Sequence, residues 1–183
     1  MFDRFRLKDV LVQYKQNFIS KQWGEEKYKW EAVKWFQDHW DVNAPDFAEM
    51  LNRSLDRTYN LLASTNNFPK GMIVGFAKSA PEEVRAMFLS LYDDSKDVYE
   101  RMDAFKMQSA VLLKKYGNGA AQHYQHENAI STYLWLRFPD KYYIYKFAEA
   151  KTVNLLRQKL LPVNWRRIIV SRRGLMPIIS IIS

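Results

Sequence analysis

The sequence predicts a mainly α-helical fold: a compact multi-helix domain over residues 1–161, with one short strand or hairpin element near residues 141–146. Apolar residues recur at three- and four-residue spacing through most of this region, which is the period of an amphipathic helix. Glycine, proline and asparagine interrupt that pattern at intervals, as expected where helices end. The composition, with 48% hydrophobic and 26% charged residues among 183, is that of an ordinary globular domain able to bury a core.

Two helices are predicted ahead of residue 41. The first has an apolar stripe within residues 7–18, and the second has one within residues 30–40. Gly24 is expected to separate them, because glycine weakens a helix interior. Trp30 and Trp40 both fall on the second stripe, so we expect both rings to lie in the core.

A third helix is predicted to be capped by Asn43, with a buried face that runs from Phe47 to Leu62. The sequence Asn-Asn-Phe-Pro-Lys-Gly at residues 66–71 predicts a loop, because asparagine, proline and glycine favour turns. We therefore place a surface loop between the third and fourth helices.

Three further helices are predicted between residues 79 and 137. Ser79 opens the capping-box sequence Ser-Ala-Pro-Glu, which predicts a helix start there. A long helix follows over residues 98–116 and stops at Gly117, because glycine commonly follows a helix end. Residues 127–137 are apolar nearly all round, which is typical of a helix at the centre of a core.

Beyond residue 140 the chain changes character. The run Lys-Tyr-Tyr-Ile-Tyr-Lys at residues 141–146 indicates a short strand, and a last helix is predicted over residues 147–161. Residues 150–183 contain seven Lys or Arg and no acid, whereas residues 1–149 contain 21 Lys or Arg and 20 Asp or Glu. The tail, residues 162–183, is either a basic arm for nucleic acid or a chain end foreign to the fold, and we expect it to be dispensable for folding.

The sequence lacks the signals of several enzyme classes and of membrane proteins. It has no cysteine, no P-loop, no G-x-G-x-x-G fingerprint and no G-x-S-x-G nucleophile elbow. It shows no secretory signal and no apolar stretch long enough to span a bilayer. We therefore expect a cytoplasmic protein that is not an enzyme, needs no cofactor and does not bind ATP or GTP.

Two patterns are compatible with metal chemistry. His-x-x-His-Glu at residues 123–127 lacks a third zinc ligand, so a polar loop ahead of the next helix is favoured and no metal site is predicted. Asp140, Glu149 and Lys151 resemble the PD-(D/E)xK pattern of Mg²⁺-dependent nucleases. Because Glu149 and Lys151 fall in a predicted helix rather than a sheet, a turn followed by a solvated helix face is favoured there.

Lysines stand beside large aromatic rings at two places in the sequence. One is residues 27–35 of the second helix, and the other is the predicted strand, where Lys141, Tyr143 and Tyr145 share one face. Cations and rings together suit contacts to phosphate and stacking on a base. The alternative interpretation is that the rings belong to the core and the lysines lie at its rim.

Long stretches of the chain resemble one protein family. They include residues 28–40 (Tyr-Lys-Trp-Glu-Ala-Val-Lys-Trp-Phe-Gln-Asp-His-Trp), residues 68–73 and, above all, residues 127–146. These stretches resemble the amino-terminal region of bacterial AAA-family ATPases of the McrB type, over about residues 7–157. In that family a variable amino-terminal domain recognises DNA, often a modified base, a nucleotide-driven ring follows it, and a separate subunit supplies the nuclease. The motor domain with its P-loop is missing here, and the chain after about residue 158 does not resemble the family.

The resemblance implies a non-catalytic DNA-recognition module of a bacterial restriction system. Its implied partners are DNA, modified or not, and the motor and nuclease subunits of that system. The alternatives are an interaction or assembly module of the same system and, less favoured, a Mg²⁺-dependent nuclease. For the first interpretation the predicted nucleic-acid-binding residues are Lys27, Lys29, Lys34, Asn66, Asn67, Lys70, Lys141, Tyr143 and Tyr145.

Overall fold

A computed structural model describes residues 23–64 and 67–145, together with residues 9, 12, 13, 16 and 17 of the first predicted helix, which are helical. The helices of the continuous part are α1 (Trp23–His39), α2 (Phe47–Ser54), α3 (Pro69–Ser79), α4 (Pro81–Tyr92), α5 (Val98–Tyr116) and α6 (Glu127–Arg137). A 3₁₀ helix, Asp56–Leu61, connects α2 to the segment before α3. The predicted mainly α-helical fold is confirmed.

Several predictions fall on residues outside the described part. They are most of the first helix, Asn66 of the loop, Lys146 of the strand, the last helix over 147–161, the nuclease-pattern residues Glu149 and Lys151, and the tail 162–183. Among the described helices, none is long and apolar enough to cross a membrane.

Helix α6 lies at the centre of the fold, as its sequence predicts. Eight of its 11 residues, Ala129–Leu136, are buried. Its Tyr133 ring contacts Phe88 of α4 and Phe105 of α5, at centroid distances of 5.3 and 5.9 Å. A helix whose surface is apolar nearly all round is stable only when neighbouring helices cover it on several sides, which is what α4 and α5 provide.

The two tryptophans predicted to be core differ in their surroundings. Trp40 packs against the core, with its ring 5.1 Å from that of Phe36, 5.2 Å from Phe88 and 5.5 Å from Tyr92. Trp30 is 48% exposed, so its prediction as a core residue is wrong. Trp30 lies at the edge of the buried stripe of α1, where its ring meets only the edge of the core.

Three predictions about helix starts are wrong. Gly24 does not stand ahead of the second predicted helix, because it is the second residue of α1. The cap of α2 is Asp46 rather than Asn43, because the Asp46 carboxylate accepts a hydrogen bond from the backbone N–H of Glu49 at 2.9 Å. Ser79 is the last residue of α3, and Ala80 precedes α4 without any side-chain cap. The predicted capping box is therefore wrong: the sequence marks a junction between two consecutive helices.

The strand predicted at residues 141–146 is not formed by the described residues 141–145. This segment, which we call the strap, has irregular backbone and no neighbouring strand among the described residues. Its backbone bonds to α6 side chains instead: Asn128 Nδ2 donates to the carbonyl of Tyr145 at 2.7 Å, and Ser131 Oγ accepts from the Tyr145 N–H at 2.8 Å. The predicted alternation also fails, because Tyr142 is buried whereas Tyr143, Ile144 and Tyr145 are all half-buried.

Candidate nucleic-acid interface

The lysines predicted on α1 are compensated by carboxylates. Lys27 pairs with Glu31 and Lys34 pairs with Asp38, each at 2.9 Å and at four-residue spacing. These four residues form a charge ladder along the outer face of α1. Exposed pairs of this kind stabilise a helix only by about 0.3–0.5 kcal/mol each. The charge ladder therefore presents both signs of charge to solvent in equal number.

The remaining described lysines of the predicted site are also paired. Lys29 pairs with Glu26, Lys70 with Asp56 at 2.7 Å, and Lys141 with Asp94 at 2.6 Å. The eight described residues of the predicted site lie on three separate parts of the fold: α1, the segment from Asn67 to Lys70, and the strap. Asn67 is exposed, and its backbone pairs with Ser64 in an isolated β-bridge.

The helical part of the chain is not basic. Residues 23–145 contain 15 Lys or Arg and 17 Asp or Glu. Binding to a DNA duplex without sequence preference depends mainly on neutralising phosphates with cations. A surface on this part of the chain must therefore gain affinity from contacts other than charge density.

One surface has a different character from the charge ladder. Tyr28, Trp35 and His39 follow one another at seven- and four-residue spacing on a face of α1, and Arg57 and Tyr59 of the 3₁₀ helix cover that face. We call these five residues the aromatic–arginine surface. The Tyr28 and Tyr59 rings meet edge to face at 6.5 Å. The packing of α1 against the 3₁₀ helix thus builds a surface from two separate parts of the sequence.

Trp35 organises this surface. The His39 ring stacks on it at 3.9 Å with an interplanar angle of 25°, and the Arg57 guanidinium lies 5.1 Å from its ring centroid. Its indole N–H donates to the carbonyl of Arg53 at 2.8 Å, which fixes the ring orientation. Arg57 in turn donates to the Tyr59 hydroxyl at 3.0 Å. Rings and a guanidinium plane are therefore held together by directional contacts.

The backbone of Tyr59 adopts an unusual conformation, with φ 39° and ψ −124°. For a residue with a side chain, such geometry costs about 1–3 kcal/mol and persists only where its surroundings enforce it. Here the Tyr59 carbonyl accepts from the N–H groups of both Leu62 and Ala63, at 3.3 and 3.1 Å. The result is a tyrosine side chain that is 51% exposed.

Arg57 differs from the predicted lysines in having no carboxylate within ion-pair distance among the described residues, and the same holds for its neighbour Arg53. Its charge is therefore uncompensated within the described part of the chain. Sequence reasoning missed Arg57 and Tyr59, because they belong to a stretch predicted as one continuous helix.

The histidine pattern does not bring three metal ligands together among the described residues. The His123 and His126 rings are 5.4 Å apart, but His123 Nδ1 accepts the backbone N–H of Gln125 at 2.9 Å and so has no lone pair to offer there. Glu127 pairs with Lys106 at 2.7 Å. Across the described residues, no three His, Cys, Asp or Glu side chains converge as a metal site would require. The polar-loop interpretation agrees with this arrangement.

A buried polar cluster, which we call the Arg101 network, anchors the strap. Arg101 is only 3% exposed; it donates to the carbonyl of Leu91 at 2.6 Å and to the Tyr142 hydroxyl at 2.8 Å. The Tyr142 hydroxyl donates to Asp94 at 2.8 Å, and Asp94 also pairs with Arg101 at 3.3 Å and with Lys141. Apart from Arg101 Nε, these groups bond to one another and to the backbone, so the network has a structural role in holding the strap.

Asp94 is the carboxylic acid of this network, and its surroundings shift its pKa. Desolvation is the largest influence and acts to raise its pKa, but hydrogen bonds from Lys141 and Tyr142 and the charge of Arg101 outweigh it. The pKa of Asp94 is therefore held below its usual value. The carboxylate is ionised at neutral pH, and Lys141 forms an ion pair with it at 2.6 Å.

A shallow groove of about 340 Å³, lined by both apolar and polar side chains, lies between α4 and α5. Its lining includes Ala86, Ala104 and Phe105, and the exposed side chains of the same two helices include Leu89 and Met107, at 52% and 70% exposure.

No family model, curated protein or solved structure matches this chain.

Proposed function

We propose that the helical domain is a non-catalytic DNA-recognition module that binds through the aromatic–arginine surface. The observation that supports this most concerns Arg57, which has no carboxylate partner among the described residues, lies against Trp35 and donates to the exposed Tyr59. Guanidinium groups bind phosphate through several donors at once, and aromatic rings stack on bases. The predicted lysines take a secondary part, because each described one is paired with an acid.

The resemblance to McrB-type proteins supports the same proposal and supplies its setting. A domain of this kind would recognise DNA for a motor subunit that moves along it and a nuclease subunit that cuts it. The exposed aromatic and cationic side chains give such a domain the means to contact bases and phosphates together.

The proposal is tested by measuring the affinity of the 183-residue chain for DNA. The variant Arg57→Gln is compared with the control variant Arg137→Gln. Both arginines are exposed, both lie over an aromatic ring, and neither has a carboxylate partner among the described residues. Both variants lose one positive charge. We expect Arg57→Gln to weaken binding about 10- to 150-fold, since a charged contact contributes about 1.5–3 kcal/mol, and Arg137→Gln to weaken it less than twofold.

Equal losses in the two variants would mean that only overall charge matters, and would contradict the assignment of this surface. Absence of binding to single-stranded, duplex or base-modified DNA at low salt would overturn the DNA-recognition proposal. The assembly-module alternative would then replace it.

The groove between α4 and α5 favours that second candidate, a module that contacts the motor subunit. The two helices that form the groove also carry the exposed apolar side chains of Leu89 and Met107, and extended exposed apolar surface marks protein contacts. Met107→Glu tests this function: it should abolish association with an McrB-type motor and leave DNA binding unchanged. Retained association would contradict it.

A further inference from the structure

We infer that the outer face of α5 binds the same face of a second copy of this chain, with the two helices antiparallel about a two-fold axis at Met107. The inference concerns how the domain assembles, and it does not depend on DNA recognition. It rests on a stripe of exposed apolar side chains and on the two charged residues at the ends of that stripe.

Helix α5 carries apolar side chains on two faces. Its inner face, which includes Phe105 and Leu112, is buried in the core. Its outer face carries Ala104, Met107 and Val111 at three- and four-residue spacing, so these side chains form one stripe. All three are exposed, Met107 by 70% and Val111 by 41%. The outer face of a surface helix is ordinarily polar, so this stripe indicates a helical partner.

Glu100 and Lys114 stand at the two ends of the stripe. Both are exposed, and neither has an ion-pair partner among the described residues. The neighbouring Asp103 and Lys115, by contrast, pair with other residues of the same chain at 3.9 and 3.2 Å. Charges of these signs also suit the ends of a single helix, so they do not indicate a partner on their own. Their positions relative to the apolar stripe do.

The spacing of these residues identifies the partner as a second copy. Glu100 precedes Met107 by seven residues and Lys114 follows it by seven, so each charge lies about 10.5 Å from Met107 along the helix, on the same face. In an antiparallel pair with the two-fold axis at Met107, Glu100 therefore lies opposite Lys114 of the partner subunit, and the same pair forms at the other end. The small Ala104 side chain lies opposite Val111 of the partner subunit. A parallel pair would place like charges together, so the antiparallel pair is favoured.

The size of this face sets the expected affinity. Because α5 has 19 residues, it is about 28 Å long, and one face of it buries well under the about 800 Å² per partner of a standard interface. We therefore expect a weak dimer, with a dissociation constant of about 10–500 µM. Salt screens exposed charges, so the dimer should be weaker in about 1 M salt than in about 0.1 M salt.

Sedimentation equilibrium of the 183-residue chain at about 5–500 µM measures this association. Glu100→Lys and Lys114→Glu each turn two attractive pairs into two repulsive ones, and the double variant restores both pairs with their signs exchanged. Lys78→Glu is the matched control. Like Lys114, Lys78 is exposed, stands in the last turn of its helix and has no ion-pair partner among the described residues.

Each single variant should weaken association about 5- to 20-fold, and the double variant should return to within about threefold of wild type. Lys78→Glu should stay within about twofold of wild type. The double variant keeps both charges that are unfavourable at the ends of its own helix, so its recovery cannot come from helix stability. Circular dichroism of every variant measures whether the helices are kept.

A second measurement locates the two-fold axis. The chain has no cysteine, so Met107→Cys introduces a single thiol, and mild oxidation should join two copies through it. A disulfide requires Cα atoms about 4.4–6.8 Å apart, a condition that identical residues meet only near the axis. Lys78→Cys, oxidised in the same way, should form the joined dimer at least about tenfold more slowly.

Three results would overturn the inference. A wild-type chain that stays monomeric at every concentration would leave this face to another protein, such as the motor subunit of the second candidate function. A dimer that is indifferent to both single variants must form through another surface. Failure of the double variant to recover would mean that the partner is not a second copy, because only a second copy carries the compensating charge. DNA recognition by the aromatic–arginine surface stands or falls separately from each of these results.

Discussion

Replacing Arg101 by methionine tests whether the Arg101 network stabilises the fold. The side chain is 3% exposed and joins three parts of the chain: the end of α4 at Leu91, the turn at Asp94 and the strap at Tyr142. Methionine has a similar length and no polar atoms, so the variant removes the donors without opening a large cavity. The carbonyl of Leu91 then loses its bond to the guanidinium at a site closed to water.

The magnitude follows from two opposing effects. Each of the two hydrogen bonds from the guanidinium contributes about 1.5–3 kcal/mol, since the donor is charged. Against this, a buried guanidinium is desolvated, and Arg101 Nε has no hydrogen-bond partner among the described residues, which costs about 1–3 kcal/mol. We therefore expect Arg101→Met to lower the free energy of unfolding by about 2–3 kcal/mol. For a domain of this size, that corresponds to a melting temperature lower by about 5–10 °C.

Urea unfolding followed by circular dichroism measures this effect, and Tyr142→Phe completes a double-mutant cycle. Because Arg101 donates to the Tyr142 hydroxyl at 2.8 Å, the two substitutions should couple by about 1 kcal/mol. An Arg101→Met protein as stable as wild type, or more stable, would refute the reasoning. It would show that desolvation of the buried charge outweighs its hydrogen bonds, as occurs in some proteins.

Three further outcomes are expected. The pKa of Asp94 is lower in the folded state than in the unfolded chain. Its contribution to the free energy of unfolding is therefore complete above the pKa of the unfolded chain, and it is lost as the pH falls below about 4. In acid unfolding, the stability of Asp94→Asn should consequently depend less on pH below about 4 than that of wild type. Tyr59→Gly should be about 1 kcal/mol more stable than Tyr59→Ala in thermal unfolding, because glycine tolerates the positive φ; an equal stability would show that the backbone relaxes. Gln125→Leu should lower the free energy of unfolding, measured in urea, by about 2–3 kcal/mol. The buried Gln125 side chain accepts from the Tyr133 hydroxyl and donates to the carbonyl of Pro69, both at 2.8 Å. A decrease below about 0.5 kcal/mol would contradict this.

The helices could be predicted because their signals are local. Residues 98–116 and 127–137 were bounded correctly, since a glycine follows the first and the second is apolar on every side. The strand near residue 141 was predicted from β-branched and aromatic content, but a strand also needs a neighbouring strand. The strap finds Asn128 and Ser131 instead, and no local signal in residues 141–146 reports that choice.

The candidate site was only partly predictable. The lysines beside aromatic rings were visible in the sequence, and so was their compensation, because Glu31 and Asp38 stand four residues after Lys27 and Lys34. The position of Arg57 and Tyr59 was not visible. It depends on a kink at a tyrosine with positive φ, which tertiary contacts impose on a residue type that rarely adopts it.

The contact between α1 and α6 has a consequence for the order in which the protein is made. The Trp30 and Trp135 rings are 5.8 Å apart, and Gln37 donates to the carbonyl of Leu136, 99 residues later in the chain. At about 5–20 residues per second, a nascent chain exposes the inner face of α1 for roughly 5–20 s before its partner helix is synthesised. Until then, Ala32, Val33 and Phe36 lack the helix that completes their burial. Chaperones that bind apolar segments therefore have their longest access to α1. In a translation product that stops before residue 127, the inner face of α1 stays without α6 permanently.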